Sequence, residues 1–168
     1  MAETGTADLI LAVREVQIEN ALLAKVGVFS FGAPRDDEPP YFVNGIHETG
    51  RGNKRLTGRD SLRTITLSMK AVAEEIEGRE AIEIASELAN ENYKLFGPPE
   101  KDVNDLDIPA PDGLTARQRL NRKLEPLGWT SKMPIEVGEI GPYVERLDDL
   151  ERLHYGHRFR FTIERMRA

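Results

Sequence analysis

Several clusters in this chain hold residue types that could do chemistry, and their spacing decides what each can do. Gly45-Ile46-His47-Glu48-Thr49-Gly50-Arg51-Gly52 nearly spaces out as a phosphate-binding loop. It fails at two positions. Arg51 stands where a lysine should reach the terminal phosphates, and Gly52 where a hydroxyl should hold magnesium. A strand pattern follows, not the helix whose amino end would face an anion. The overlapping Gly50-Arg51-Gly52-Asn53-Lys54-Arg55 lacks the third glycine of a dinucleotide fingerprint. His154 and His157 could chelate a metal from a helix, but on a strand their spacing sends them to opposite faces. Asp102, Asn104, Asp105 and Asp107 suggest a calcium loop, yet Leu106 and Asp107 occupy the positions that need an oxygen ligand and a glycine. These tests leave no catalytic residue, no cofactor-binding residue and no metal ligand, and the expectation is a protein that is not an enzyme.

Two charged clusters survive. Glu80, Glu83, Glu87 and Glu91 share one face at helical spacing. An exposed helix face does not split carboxylate pKa values as acid–base catalysis requires. The stripe reads as a solvated face or, more sharply, as a lumen-facing wall that repels passing DNA. Arg51, Lys54, Arg55 and Arg59 make the 48–60 segment basic. No aromatics are interleaved for base stacking, so docking on an acidic neighbouring subunit is as good a use for it.

With 23 Lys and Arg against 29 Asp and Glu, the chain carries a net charge of −6, which argues against a protein built to grip nucleic-acid phosphates. The absence of cysteine excludes disulfides, thiolate catalysis and cysteine zinc sites. Met1–Asp8 lacks the pattern of a signal peptide, and the apolar run Leu9–Val13 is far too short to cross a membrane. A soluble, intracellular single domain of 168 residues is expected.

The elements that must position these groups follow from periodicity. Residues 8–25 predict a first helix, capped by Asp8 and stopped at Gly27. Val28, Phe29 and Phe31 predict a short extended piece, and 35–38 a solvated loop. Tyr41–Ile46 predicts a strand entered through Pro39-Pro40. Ser61–Val72 alternates Ile65, Leu67 and Met69 against Thr64, Thr66 and Ser68, the signature of a sheet buried on one side. Residues 79–96 predict the strongest helix, with Ala81, Ile82, Ala85, Leu88, Ala89, Asn92, Leu95 and Phe96 inward. Residues 98–132 read as an irregular insert with one short helix, opened by a Thr115/Gln118 capping box. Its narrow stripe of Ala116, Leu120 and Leu124 predicts peripheral packing or docking on a partner. Ile135 and Val137 predict a strand, Tyr143–Asp149 a turn, and His154–Ile163 a closing strand. The fold class expected is α+β: a mostly antiparallel sheet of four to five strands on two main helices, with 98–132 inserted.

In pattern and order the pieces Leu9–Lys25, Pro40–Ile46, Gly50–Arg55, Arg63–Met69, Ala81–Phe96, Arg146–Asp149 and Arg158–Ile163 resemble the tail terminator and tail-completion proteins of long-tailed bacteriophages. The resemblance spans most of the chain outside 98–132 and rests on no single diagnostic motif. It implies a structural virion protein of the tail or neck, made in the host cytoplasm. Such a protein forms a homo-oligomeric ring, expected to be a hexamer, on the last ring of tail tube protein. The ring stops tube growth, joins a head-side neck or connector protein, and lets DNA pass without specific binding; no cofactor and no membrane are implied. Another neck ring, such as a head-side connector or stopper, would fit the same pattern. A small ligand-binding or enzymatic α+β domain would instead need a pocket of convergent polar groups.

Overall fold

The computed structural model describes residues 5–32, 38–51 and 62–166, with Gly50 and Arg51 described as backbone only. Lys54, Arg55 and Arg59 lie outside the described residues, as does most of the loop expected at 35–38.

The first helical stretch is two helices, α1 (Gly5–Ile18) and α2 (Ala21–Val26), not the single one expected. Asn20 divides them. Its backbone is extended and its side chain accepts hydrogen bonds from the Leu22 and Leu23 amides, an N-cap that competes with continued helix. Asp8 is not a cap. It sits in the first turn of α1, where its carboxylate accepts a hydrogen bond from Trp129 Nε1 at 3.0 Å. The remaining elements are β1 (Val28–Ser30), β2 (Tyr41–Arg51), β3 (Leu62–Ala73), α3 (Ala81–Phe96) and α4 (Ala116–Leu124). After a 3₁₀ turn at Glu125–Leu127 come β4 (Trp129–Ser131), β5 (Ile135–Leu147) and β6 (Leu150–Arg165).

The sheet is α+β in class, as expected, but mixed. Strands run β1-β2-β3-β6, and β1 lies parallel to β2 while the other pairs are antiparallel. Both β4 and β5 pair with the far side of β6, β4 at Ile163–Arg165 and β5 along the rest of the strand. Gly156 makes the β3–β6 pairing possible, since a Cβ there would stand 2.1 Å from the Met69 carbonyl oxygen.

One face of the sheet carries the core. Ile65, Leu67 and Met69 of β3 and Phe159, Phe161 and Ile163 of β6 are all essentially inaccessible. The alternation of period two places them together, and each such side chain is worth about 1.5–3 kcal/mol of transfer free energy. From α3, Ile84, Ala85, Leu88, Ala89 and Phe96 cover them, with the Phe96 ring 6.2 Å from Phe159 and 5.8 Å from Phe161. Ile84 was not expected on this face, and Ala81, Ile82 and Leu95 are only half-buried. One polar knot crosses the core. Gln17 of α1 donates to Asn44 of β2 (3.0 Å) and to Asn92 of α3 (2.8 Å), and Asn44 donates back at 2.6 Å.

The insert is more integrated than its composition suggests. The capping box at Thr115 and Gln118 forms as expected. Leu120, Leu124 and Trp129 join the main core instead of packing at the periphery, and α4 lies against α1 and β4. Arg119, which a narrow-stripe reading leaves in solvent, is buried. Its Nε and Nη2 hold both oxygens of Asp112 at 2.7 and 2.8 Å, while Nη1 donates to the Leu95 carbonyl at 3.0 Å. Strand β4 was not anticipated, being only three residues long.

Candidate functional site

Strand β6 is 16 residues long, roughly 50 Å at strand rise, and its two ends differ. The end near Ile163 lies on the core. At the Leu150 end, β5 and β6 form a hairpin arm. Residues Tyr143–Leu147 continue as strand where a turn was expected, and Asp148-Asp149 alone make the reversal, with Asp148 at φ 53°. Aspartate tolerates that left-handed backbone better than most residues. Tyr143, Val144, Leu147 and Leu150 on this arm are 42–53% exposed. Register places Tyr143, Leu147 and Leu150 on one face of the arm and Val144 on the other.

The root of the arm is held by a polar cluster. The His154 ring stacks on Tyr143 (4.7 Å between centroids, 9° between planes), and its Nε2 lies 2.9 Å from Glu145. Lys70 of β3 donates to the Tyr143 hydroxyl at 2.9 Å. Burial holds the His154 pKa below the usual imidazole value, and nearby Lys70 adds to this against the opposing pull of Glu145. His157 faces the other side, beside Tyr93 (5.0 Å) and Tyr155 (5.6 Å), and burial lowers its pKa too while Glu136 and Glu139 oppose. The two histidines thus point apart, as their spacing on a strand requires, and burial disfavours the charged form of each.

On the sheet face opposite the core, Glu48, Thr64, Thr66, Ile135, Arg160 and Thr162 line an open cavity of about 480 Å³. Cross-strand register builds it. Glu48 stands opposite Thr66, Thr66 opposite Arg160, and Arg160 opposite Ile135, in one row across four strands. A β-bulge at His47 in β2 brings Glu48 into this row. The cavity offers one cation, one carboxylate, three hydroxyls and an apolar wall. These convergent polar groups could hold a polar ligand or the backbone of a turn.

The expected glutamate stripe is less uniform in three dimensions. Glu80 is the residue before α3, and Glu80 and Glu83 are exposed. Glu87 pairs with Arg79 at 2.8 Å, whereas Glu91 is half-buried and accepts from Asn20 (3.0 Å) and Lys94 (3.3 Å). In the acidic loop, Asp102 accepts hydrogen bonds from the Asn104 and Leu106 amides and Asp107 pairs with Lys101. Among the described residues no cluster of three or more His, Asp or Glu is placed to hold a metal ion, and no helix is long and apolar enough to cross a membrane. Sequence reading missed the exposed arm and the cavity. The Leu147-Asp148-Asp149-Leu150 string was a legible hairpin signal, whereas the cavity joins residues from four strands and had none.

No protein-family model matches the chain, and no curated protein sequence matches it.

Proposed function

We propose that this chain is a structural subunit that forms a ring with its own copies, in the role of a phage tail terminator. The observation that carries this is the β5–β6 arm, whose apolar residues Tyr143, Val144, Leu147 and Leu150 stand exposed on both faces. Tyr143 is held within the monomer by His154 and Lys70, but burying Val144, Leu147 and Leu150 requires a second surface. A sheet covered by helices on one face leaves its other face and the arm available for subunit contacts. The order of helix, strand, basic segment, strand, helix and closing strand adds the resemblance to terminators. In that role the ring caps the tail tube protein, contacts a head-side neck protein and lets DNA pass. Exposed Glu80 and Glu83 then border the lumen, where their charge repels phosphate. The basic run Arg51, Lys54, Arg55 and Arg59 remains a subunit contact on sequence grounds alone.

Native mass spectrometry and negative-stain imaging of the purified chain test this. A closed ring of about six copies is expected, since head-to-tail contacts close only by rotation. Open filaments, or a monomer at all concentrations, would count against the ring. Locating the Glu80–Glu83 surface on the outer rim would refute the lumen assignment.

A further inference from the structure

The structure points to a specific contact between copies, and we propose it here: the hairpin tip of one chain, Leu147–Leu150, seats in the Glu48–Arg160 cavity of the next. This rests on the ring reading above for its biological setting, but its geometry is independent of ring closure.

The two surfaces match in chemistry. The tip presents two exposed leucines that flank Asp148 and Asp149, with Arg146 next in line and largely exposed. The cavity presents Ile135 and the threonines Thr64, Thr66 and Thr162 as its walls, with Arg160 and Glu48 as its charges. A leucine of the tip fills the apolar part, an aspartate meets Arg160, and Arg146 meets Glu48. Arg146 already lies 3.2 Å from Glu151, an exposed pair that costs little to rearrange. The threonine hydroxyls are short donors and acceptors suited to the backbone of a turn. A cavity of about 480 Å³ is large enough for a leucine and part of the neighbouring turn.

The contact cannot form within one chain. Leu150 and Arg160 lie on the same strand, ten residues apart by their numbers, which is about 33 Å along an extended backbone. A strand paired along that length cannot fold back on itself, so a tip-to-cavity contact joins two copies. Because tip and cavity are different surfaces, the contact is head-to-tail. Repetition of such a contact gives either a closed ring or an open filament.

The absence of native cysteine gives a direct test. Two single variants of the full chain, Asp149→Cys at the tip and Thr64→Cys in the cavity, are mixed in equal amounts and oxidised mildly. The expected result is a disulfide-linked heterodimer of one tip variant and one cavity variant, well above either variant oxidised alone. As a second readout, Leu147→Asp should leave circular dichroism unchanged and raise the concentration for half-assembly by about tenfold or more, the scale of losing a buried anchor. Heterodimer yield no higher than in the single-variant controls overturns the proposal. So does preferential linkage of tip to tip, which would mean an isologous contact. Closed wild-type rings without the mixed crosslink would overturn only this contact and leave the ring reading standing. Filaments with the crosslink would do the reverse. A wild-type chain that stays monomeric throughout, with no crosslink, overturns both.

Discussion

The two ends of β6 obey the same alternation and end in opposite surroundings. Toward Ile163, side chains on one face disappear under α3, and Phe159, Phe161 and Ile163 are wholly buried. Past Leu153, where its pairing with β3 ends, the same strand pairs only with β5, and Leu150 stays 53% exposed. Apolar residues are common at both ends, so composition alone does not separate a core from an exposed arm. What separates them is whether another element of the same chain lies close enough to cover them. At one end α3 does, and at the other no element among the described residues does.

That contrast makes a quantitative claim that denaturation can break. Measured below the concentration of assembly, Phe159→Ala should cost about 3–5 kcal/mol, whereas Leu150→Ala should stay within about 0.5 kcal/mol. Comparable losses at the two positions would erase the distinction between core and arm. The polar knot beneath the covered face comes next. Gln17→Ala strips partners from Asn44 and Asn92, both buried, and should cost about 2–3 kcal/mol in urea titration, since each orphaned amide carries about 1–3 kcal/mol. A cost near zero would mean the knot is tolerated rather than stabilising.

A smaller effect should come from the insert that props the covered side. Asp112→Asn weakens a charge-assisted pair with buried Arg119, and about 1–2 kcal/mol is expected, held down because Asp112 is partly exposed. The Arg119 hydrogen bonds hold the Asp112 pKa below the usual carboxylate value. Its contribution is therefore complete above the unfolded value of about 3.9 and fades as pH falls through the lower folded value. Melting temperature against pH should drop more steeply on the acid side for the native chain than for Asp112→Asn; parallel profiles would exclude the linkage.

The smallest effect belongs to the two histidines, one on each face. Burial lowers both folded pKa values. The unfolded chain then binds more protons than the folded one as pH drops below about 6.5, so stability is fully present above that value and is eroded beneath it. His157→Phe should flatten the erosion on the covered side and His154→Phe on the arm side. Both imidazole pKa values can be read by proton NMR, and a value above 6.5 at either site would contradict the burial argument.

Much of the fold was legible because it depends on local periodicity. The alternation Ile65-Leu67-Met69 and Phe159-Phe161-Ile163 marked two strands and the face they bury, and the capping box at Thr115 marked a helix start. The breaks were harder. Asn20 interrupts a continuous apolar pattern through one side-chain hydrogen-bonding geometry, and three-residue β4 is too short to show a period. The candidate site was legible only in fragments. The Leu-Asp-Asp-Leu string could be read as a turn, but whether its leucines would be covered could not.

By itself, then, the sequence determined which residues of β3 and β6 alternate and where α4 is capped. Those properties are set by neighbours a few positions apart. Only the tertiary structure decided that Arg119 is buried while Leu147 and Leu150 are not, and that Glu48, Thr66, Arg160 and Ile135 stand in one row. Burial and convergence depend on which distant segments pair, and a one-residue slip of a strand would send that strand's members of the row to the other face.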